Sequence, residues 1–319
     1  MEYRQIGNSG LTASILGMGG NNFGGRLDLV ATKSVIHKAL DLGVTFFDTA
    51  DAYGKRGGDE AGMSEAFLGA ALGVRRKDVV IATKFGHAMD RERRLSGASR
   101  RYIMSAVEAS LRRLNTDWID LYQLHSPDPS TPVEETLRAL DDLIHSGKVR
   151  YIGCANLKAW EFVDSQWTAQ AHNLIRYVSC QNEYSLVNRG IEAELAPAAR
   201  AHGASILPYY PLASGLLTGK YRPNIAPPEG SRFAKPERFE KRFMTQRASH
   251  TTERLRTYAE DRGRSLLELA MSWLACQPHV GSIIAGATSQ EHVSANVAAA
   301  NWRLTREQLK EIDKITESE

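Results

Sequence analysis

Short apolar runs recur along the chain and alternate with longer segments of helical periodicity. The runs are apolar throughout, with no alternating polar face, which is typical of parallel strands that are buried on both sides. They predict eight β-strands, at residues 14–18, 44–47, 79–83, 119–124, 149–153, 177–181, 204–209 and 280–285.

Amphipathic helices are predicted between these strands. Gly43 and Gly73 follow two of them, at the position where glycine commonly ends a helix. The predicted helices cover residues 32–42, 63–72, 99–114, 131–146, 191–201, 266–275, 291–299 and 305–315.

Eight strand-then-helix units in 319 residues predict an α/β fold, a (β/α)8 TIM barrel in which residues 1–319 form a single domain. Residues 2–11 contain a Gly-Asn-Ser-Gly turn and predict a β-hairpin that covers the bottom of the barrel. The alternative is a doubly wound open sheet. That fold usually carries a Gly-x-Gly-x-x-Gly turn after its first strand, and the glycine-rich residues 17–25 lack this spacing.

The connection after the seventh predicted strand, residues 212–262, is predicted to be a long loop rich in proline, lysine and arginine. Loops of this length are usually functional lids or flexible inserts. The carboxyl ends of barrel strands are where barrel enzymes carry out their chemistry. A basic lid at that end favours an anionic ligand such as a pyrophosphate.

The composition excludes several classes of protein. Hydrophobic residues make up 42% of the chain and charged residues 24%, as in ordinary globular proteins. The net charge of +3 is too small to indicate nucleic acid or membrane lipid as a partner. From the polar residues 1–7 we expect no signal peptide, and no apolar run approaches the roughly 18 residues that a membrane span needs. We therefore expect a cytoplasmic protein with a small-molecule partner, and the sequence is compatible with a homo-oligomer.

Four polar residues end or follow three successive predicted strands: Asp48, Tyr53, Lys84 and His125. Because the strands of a parallel barrel end at the same face, we expect these side chains to converge. A lysine ammonium beside a tyrosine lowers the tyrosine pKa, a carboxylate holds the lysine, and a histidine orients a substrate oxygen. Such a group donates and accepts one proton, which carbonyl reduction or alcohol oxidation requires when a cofactor supplies hydride.

Several segments resemble the aldo-keto reductase family, in order along nearly the whole chain. Residues 48–54 (Asp-Thr-Ala-Asp-Ala-Tyr-Gly) with 64–69 resemble the first signature of the family, and residues 82–84 and 124–125 match its other catalytic segments. Residues 208–221 resemble its cofactor segment after the seventh strand, and residues 284–288 resemble its adenosine-phosphate segment. The long connection after strand seven is most similar to bacterial branches that also resemble potassium-channel β-subunits.

The resemblance implies an NAD(P)H-dependent oxidoreductase that reduces an aldehyde or ketone to an alcohol. Tyr53 would be the proton donor, Lys84 and Asp48 would tune it, and His125 would orient the carbonyl. NADP(H) is the implied cofactor, NAD(H) is the alternative, and no metal is implied. Implied cofactor contacts are Gly20, Asn21, Asp48, Asn156, Gln181, Tyr209, Pro211, Leu212, Ala213, Gly215, Lys220, Arg232, Gly286, Thr288, His292 and Asn296. Implied substrate contacts are Asn22, Phe23, Tyr53, Phe85 and His125.

Other interpretations stay open at this stage. A barrel aldolase could use Lys84 as a Schiff-base nucleophile, although a nearby carboxylate keeps lysine charged. A nucleotide-sensing subunit could retain the four residues without turnover. Gly286 and His292 stand where the family has cationic contacts to the adenosine phosphate, so the cofactor preference is open. The residues do not choose among a sugar, a hydroxylated aldehyde and a polar ketone.

Overall fold

Most of the parallel strands alternate with helices, as the hydrophobic pattern predicts. The computed structural model describes residues 1–54, 61–222, 225, 227–229, 231, 233 and 240–317, with the backbone only at residues 240 and 241. The strands in these ranges are β1 (Tyr3–Gln5), β2 (Thr12–Ser14), β3 (Leu16–Gly19), β4 (Phe46–Asp48), β5 (Val80–Phe85), β6 (Ile119–Leu124), β7 (Val149–Ala155), β8 (Ser179–Glu183), β9 (Ser205–Tyr209) and β10 (Ile283–Gly286).

The helices surround these strands. In the described ranges they are α1 (Leu29–Asp41), α2 (Met63–Leu72), α3 (Arg100–Leu114), α4 (Val133–His145), α5 (Ala159–Ala171), α6 (Leu195–Ala201), α7 (Glu240–Phe243), α8 (Gln246–Glu260), α9 (Leu266–Ala275), α10 (Gln290–Ala299) and α11 (Arg306–Glu317). Within the same residues, no helix is both long and apolar enough to cross a lipid bilayer.

Strands β3 to β10 form one parallel sheet, in the order β10-β3-β4-β5-β6-β7-β8-β9. A parallel bridge between Ile206 and Val280 joins β9 to the segment before β10, so the sheet nearly closes on itself. The predicted (β/α)8 barrel is confirmed. The predicted N-terminal hairpin is also confirmed, because β1 and β2 pair in antiparallel register.

The barrel contains two apolar layers because successive residues of a strand face opposite sides. Phe46 and Leu121 pack in the barrel interior, whereas Phe47 and Tyr122 pack between the sheet and the helices. Ile6 of the hairpin is fully buried within the interior cluster, so the hairpin closes the amino-terminal end of the barrel.

Three helices lie where the sequence predicted none, namely α5, α7 and α8. Helix α5 is obscured in the sequence because Trp160 and Trp167 are exposed, which blurs its apolar stripe. Helix α8 lies inside residues 212–262, so the prediction of one long loop there is wrong in its extent. One buried position of α8 is Arg256, whose guanidinium donates a hydrogen bond of 2.8 Å to the Tyr221 carbonyl. A charged residue at a buried position hides the helical pattern.

Candidate active site

Asp48 and Lys84 form a buried ion pair at the carboxyl ends of β4 and β5. The Lys84 Nζ atom lies 2.6 Å from Asp48 Oδ2 and 2.7 Å from the Thr49 carbonyl oxygen. Both side chains lie inside the barrel, with Lys84 0% and Asp48 2% exposed. Because water is excluded, the pair depends on these contacts for its charge balance.

Two amide side chains complete the surroundings of Asp48. Asp48 Oδ1 accepts hydrogen bonds from Gln181 Nε2 at 2.8 Å and from Gln123 Nε2 at 3.2 Å. The two glutamines are themselves linked at 3.3 Å. One ammonium and two amides therefore satisfy the carboxylate in its charged form.

Tyr53 reaches this cluster from the turn that follows β4. The backbone of the turn continues to pair with β5 beyond the strand, through hydrogen bonds of 2.8 Å from Thr49 N to the Ala82 carbonyl and 3.0 Å from Asp51 N to the Lys84 carbonyl. The Lys84 Nζ atom lies 5.0 Å from the centre of the Tyr53 ring, so the Lys84 charge acts on the Tyr53 hydroxyl. The hydroxyl is thus held beside a fixed positive charge.

The pKa values of Tyr53 and Lys84 are each set by burial and by a neighbouring charge that opposes its effect. Burial raises the Tyr53 pKa, and although the Lys84 charge opposes this effect, the net pKa lies above the ordinary value for tyrosine. The Lys84 charge lowers the Tyr53 pKa as the sequence predicts, but desolvation is the larger effect. Burial lowers the Lys84 pKa, but the Asp48 charge outweighs it and the net Lys84 pKa is raised. At neutral pH Tyr53 is therefore protonated and Lys84 is charged.

His125 follows β6 and lies next to Tyr53, with ring centres 5.6 Å apart in an edge-to-face arrangement. A second histidine, His87, stacks on it at 3.7 Å with an interplanar angle of 11°. His87 Nε2 in turn lies 3.0 Å from the Ser126 hydroxyl. The stack fixes the plane of the His125 ring at the edge of the site.

A cavity of about 800 Å³ opens beside Tyr53 and His125 and runs to the start of α10. It has the size of a cofactor site. Of the residues predicted to contact cofactor or substrate, these line the cavity: Gly20, Asn21, Asn22, Asp48, Tyr53, His125, Asn156, Gln181, Tyr209, Pro211, Leu212, Gly215, Lys220, Gly286, Thr288, His292 and Asn296.

Three predicted contact residues do not lie on the cavity wall. Phe85 follows Lys84 on β5 and so faces the opposite side, where it packs against Tyr122 at 4.8 Å between ring centres. Phe23 is 1% exposed and belongs to the same outer core. Ala213 is buried, and its neighbour Ser214 faces the cavity instead.

A fourth predicted residue, Arg232, lies outside the described residues.

Several residues of the site were missed from the sequence. Gln123 alternates with Leu121 and His125 on and beyond β6, and this period of two was the signal that could have found it. His87, Tyr210 and Arg26 lie on loops, where no periodicity shows which side chains point inward, and Arg242 lies in the short helix α7, which the sequence did not predict.

The cavity wall after β9 fits a phosphate-bearing cofactor. Ser214 and Gly215 have φ values of 58° and 106°, a left-handed conformation that non-glycine residues adopt rarely and that is enriched at ligand sites. The Ser214 hydroxyl is buried and has no hydrogen-bond partner among the described residues. A Cβ atom at Gly215 would lie 3.5 Å from Lys220 Nζ, so the Lys220 ammonium is close to this backbone. An orphaned hydroxyl beside a cation suits an anionic oxygen.

Asn156 and Tyr209 are joined on the wall nearest to His125. Asn156 Oδ1 accepts a hydrogen bond of 2.7 Å from the Tyr209 hydroxyl, and its Nδ2 donates one of 2.8 Å to the His125 carbonyl. The Asn156 backbone is left-handed, with φ of 62°, which asparagine tolerates better than most residues. Within the described ranges, no three His, Cys, Asp or Glu side chains are arranged to hold a metal ion.

Comparisons with known proteins cover nearly the whole chain. The family model described as "Aldo/keto reductase family" matches residues 15–317. The chain is 34% identical to a probable voltage-gated potassium channel subunit beta of Arabidopsis thaliana, over 100% of the chain and 97% of that protein. It is 34% identical to an uncharacterised oxidoreductase of Bacillus subtilis, over 99% and 96%. It is 31% identical to an L-glyceraldehyde 3-phosphate reductase of Escherichia coli, over 98% and 92%.

Proposed function

The chain belongs to the aldo/keto reductase family, whose members use nicotinamide cofactors, and we propose that it reduces an aldehyde or ketone to an alcohol with Tyr53 as the proton donor. One observation carries this proposal. A protonated tyrosine hydroxyl lies at the wall of a long cavity, beside a buried ammonium and a fixed imidazole. These are the groups that a carbonyl oxygen needs when it gains negative charge and then a proton.

The mechanism divides the work among four residues. A nicotinamide bound in the cavity supplies the hydride that these side chains cannot supply. His125 orients the carbonyl oxygen, and the Tyr53 hydroxyl gives its proton to that oxygen as the carbon becomes tetrahedral. When Tyr53 loses its proton it becomes a phenolate, and the Lys84 ammonium stabilises this negative charge. Asp48 keeps Lys84 charged and in place.

The charges around the cavity favour NADP(H) over NAD(H). The cations on the described wall are Arg26, Lys220 and Arg242. Arg242 is paired with Glu183 and also lies 5.7 Å from the Tyr210 ring, whereas Lys220 has no carboxylate partner among the described residues. An additional phosphate on the cofactor would gain more from these cations than a ribose hydroxyl would.

The substrate is proposed to be a small polar carbonyl compound. The wall near Tyr53 and His125 carries His87 and Asn156 in place of a continuous apolar surface. One relative is named an L-glyceraldehyde 3-phosphate reductase, so short hydroxylated aldehydes are the first compounds to test.

Of the other two interpretations, the barrel aldolase loses support and the sensing subunit stays an alternative. A Schiff-base nucleophile needs a lysine of lowered pKa, whereas the Asp48 charge outweighs burial and the net Lys84 pKa is raised. A nucleotide-sensing subunit is the alternative that the relatives named as potassium-channel subunits bring forward. It would bind cofactor tightly and turn over no carbonyl compound.

The test is Tyr53→Phe, assayed with short aldehydes, sugars and polar ketones and with both NADPH and NADH. We expect kcat to fall about 100-fold to 10,000-fold because the proton donor is lost, and the cofactor Kd to change less than about 2-fold. Tyr151→Phe is the matched control, since it removes a partly buried hydroxyl at the hairpin end of the barrel. A variant that keeps most of its kcat would refute Tyr53 as the proton donor. Tight NADPH binding by the wild-type protein, with no turnover of any compound, would favour the sensing subunit.

A further inference from the structure

We propose that Asp51 is a positioning residue that acts as an uncharged carboxylic acid, anchoring the turn that carries Asp48 and Tyr53 to helix α3, and that loss of its proton releases this turn. The inference rests on the proposed function of Tyr53. It assigns a role to a buried acid that makes none of the contacts of the proposed reaction.

The turn from Asp48 to Tyr53 is held at two places. On its inner side, the Lys84 side chain contacts Asp48 and the Thr49 carbonyl. On its outer side, the Asp51 carboxyl accepts a hydrogen bond of 3.1 Å from the Tyr102 hydroxyl of α3. Asp51 is 1% exposed, so this contact is not replaced by water. Tyr53 lies two residues beyond this anchor.

The surroundings of Asp51 offer little support for a negative charge. The groups that face it are Tyr102 and Arg113 of α3, Glu65 of α2 and Tyr122 of β6. Arg113 is engaged by Glu65, at 2.7 Å from Glu65 Oε2. Glu65 Oε1 also accepts a hydrogen bond of 2.5 Å from the Thr83 hydroxyl. The cation of this cluster therefore balances the carboxylate of Glu65 and leaves Asp51 with a neutral partner.

The Oδ1 atom of Asp51 also indicates that this carboxyl group is uncharged. Asp51 Oδ1 is buried and has no hydrogen-bond partner among the described residues, and the buried Tyr122 hydroxyl is in the same condition. A buried carboxylate with an unsatisfied oxygen costs more free energy when it is ionised than when it is a neutral acid. Burial raises the pKa of Asp51 to about 8, and the Glu65 charge adds to this effect, while the Tyr102 hydrogen bond and the Arg113 charge oppose it. The acid is therefore neutral at pH 7 and ionises under mildly alkaline conditions.

Ionisation would act on catalysis through the turn. A charged Asp51 would place two carboxylates, its own and that of Glu65, against the single cation Arg113. The carboxylate would relieve this imbalance by moving towards water, and the turn that carries Tyr53 would move with it. We therefore expect kcat to fall above about pH 8, with little change in cofactor binding.

Asp51→Asn separates the charge from the anchor, because asparagine still accepts from Tyr102 and has no proton to lose. We expect its kcat at about pH 6.5 to lie within 2-fold of the wild-type value and to stay level to about pH 9, where the wild-type kcat falls. Asp51→Ala removes the anchor, and we expect its kcat to fall by about 3-fold to 10-fold at every pH, with the NADPH Kd unchanged.

A second measurement does not depend on turnover. The folded pKa of Asp51 is raised above its unfolded value of about 3.9, so folding takes up a proton between about pH 4 and about pH 8. Stability from this group is present below the unfolded pKa and is lost as the pH rises through the folded pKa. Relative to Asp51→Asn, the Tm of the wild-type protein should therefore fall progressively across this window.

The outcomes distinguish this inference from the proposed reaction. If no carbonyl compound is reduced, the proposed function fails, and the dependence of Tm on pH still tests whether Asp51 is neutral. Parallel Tm curves for the wild-type protein and Asp51→Asn would overturn the neutral acid. An alkaline fall in kcat that persists unchanged in Asp51→Asn would overturn the positioning role.

Discussion

Asp48 and Asp51 are three positions apart in the chain and equally buried, yet they lie on opposite sides of one turn in opposite electrostatic settings. Asp48 faces the barrel interior and accepts from the Lys84 ammonium at 2.6 Å and from two glutamine amides at 2.8 Å and 3.2 Å. Asp51 faces the helices and accepts from one tyrosine hydroxyl at 3.1 Å.

The difference shows that burial alone does not decide the charge of a carboxyl group. Desolvation favours the neutral acid in both places, and the donors around each group decide whether that preference is overcome. The inner side of the turn supplies a cation and two amides, so a charged Asp48 can hold Lys84 charged. The outer side gives its cation to Glu65 and leaves Asp51 as a neutral anchor. In one turn, Asp48 thus serves as the counterion of Lys84, whereas Asp51 anchors the turn to helix α3.

The largest expected effect is the contrast between Asp48→Asn and Asp51→Asn in the free energy of unfolding at pH 7. Asp48→Asn leaves the Lys84 ammonium buried without its counterion, which costs about 3 kcal/mol or more. Asp51→Asn replaces a neutral acid by a neutral amide of the same shape and removes the cost of taking up a proton on folding, so we expect no loss of stability and a gain at pH 7. Denaturant unfolding of both variants measures this difference.

The two substitutions control each other, because each changes one aspartate of the same turn to asparagine. Equal losses in the two variants would mean that both acids are charged, and the contrast drawn here would fail.

The next expected effect comes from Lys84→Met, which removes the cation and should make Asp48 resemble Asp51. Without the ammonium, the buried Asp48 carboxylate has no counterion, so desolvation favours its neutral acid. Stability from such a group is present at low pH and is lost as the pH rises, so the destabilisation relative to wild type should be small near pH 5 and about 2 kcal/mol near pH 7. Urea unfolding at several pH values tests this, and a loss that is independent of pH would contradict it.

Much of the fold could be predicted from the sequence because a parallel barrel repeats one simple pattern. The apolar runs located every barrel strand, and helices α2 and α9 begin and end where their patterns predicted, at Met63–Leu72 and Leu266–Ala275. The four polar residues at strand ends were conspicuous for the same reason, since polar groups interrupt otherwise apolar runs. Helix α8 escaped because its buried face contains Arg256.

The sequence does not distinguish the group of residues around Asp48, inside the barrel, from the group around Asp51, which faces the helices. In the sequence Asp51 is the single acid between Asp48 and Tyr53, and nothing nearby indicates that Tyr102, fifty-one positions along the chain, contacts it. Phe85 was misassigned because its neighbour Lys84 faces the site, although alternation on a strand turns the next side chain away. Side-chain direction and long-range partners are properties of packing, and packing requires the folded structure.

The smallest expected effect is the difference between losing one hydrogen bond to Asp48 and losing one to Asp51. Gln123→Leu removes a donor to charged Asp48, and Tyr102→Phe removes the donor to neutral Asp51. A hydrogen bond to a charged group is worth about 1.5–3 kcal/mol, and one between neutral groups about 0.5–1.5 kcal/mol. We therefore expect Gln123→Leu to lower the free energy of unfolding at pH 7 by roughly twice as much as Tyr102→Phe. In the Asp51→Asn background, Tyr102→Phe should lower the free energy of unfolding by the same amount as in wild type, because the acceptor is neutral in both. In the Asp48→Asn background, Gln123→Leu should lower it by less than in wild type, because the acceptor is no longer charged. If the cost of Tyr102→Phe also falls in its asparagine background, Asp51 carries a charge and the two sides of the turn are alike.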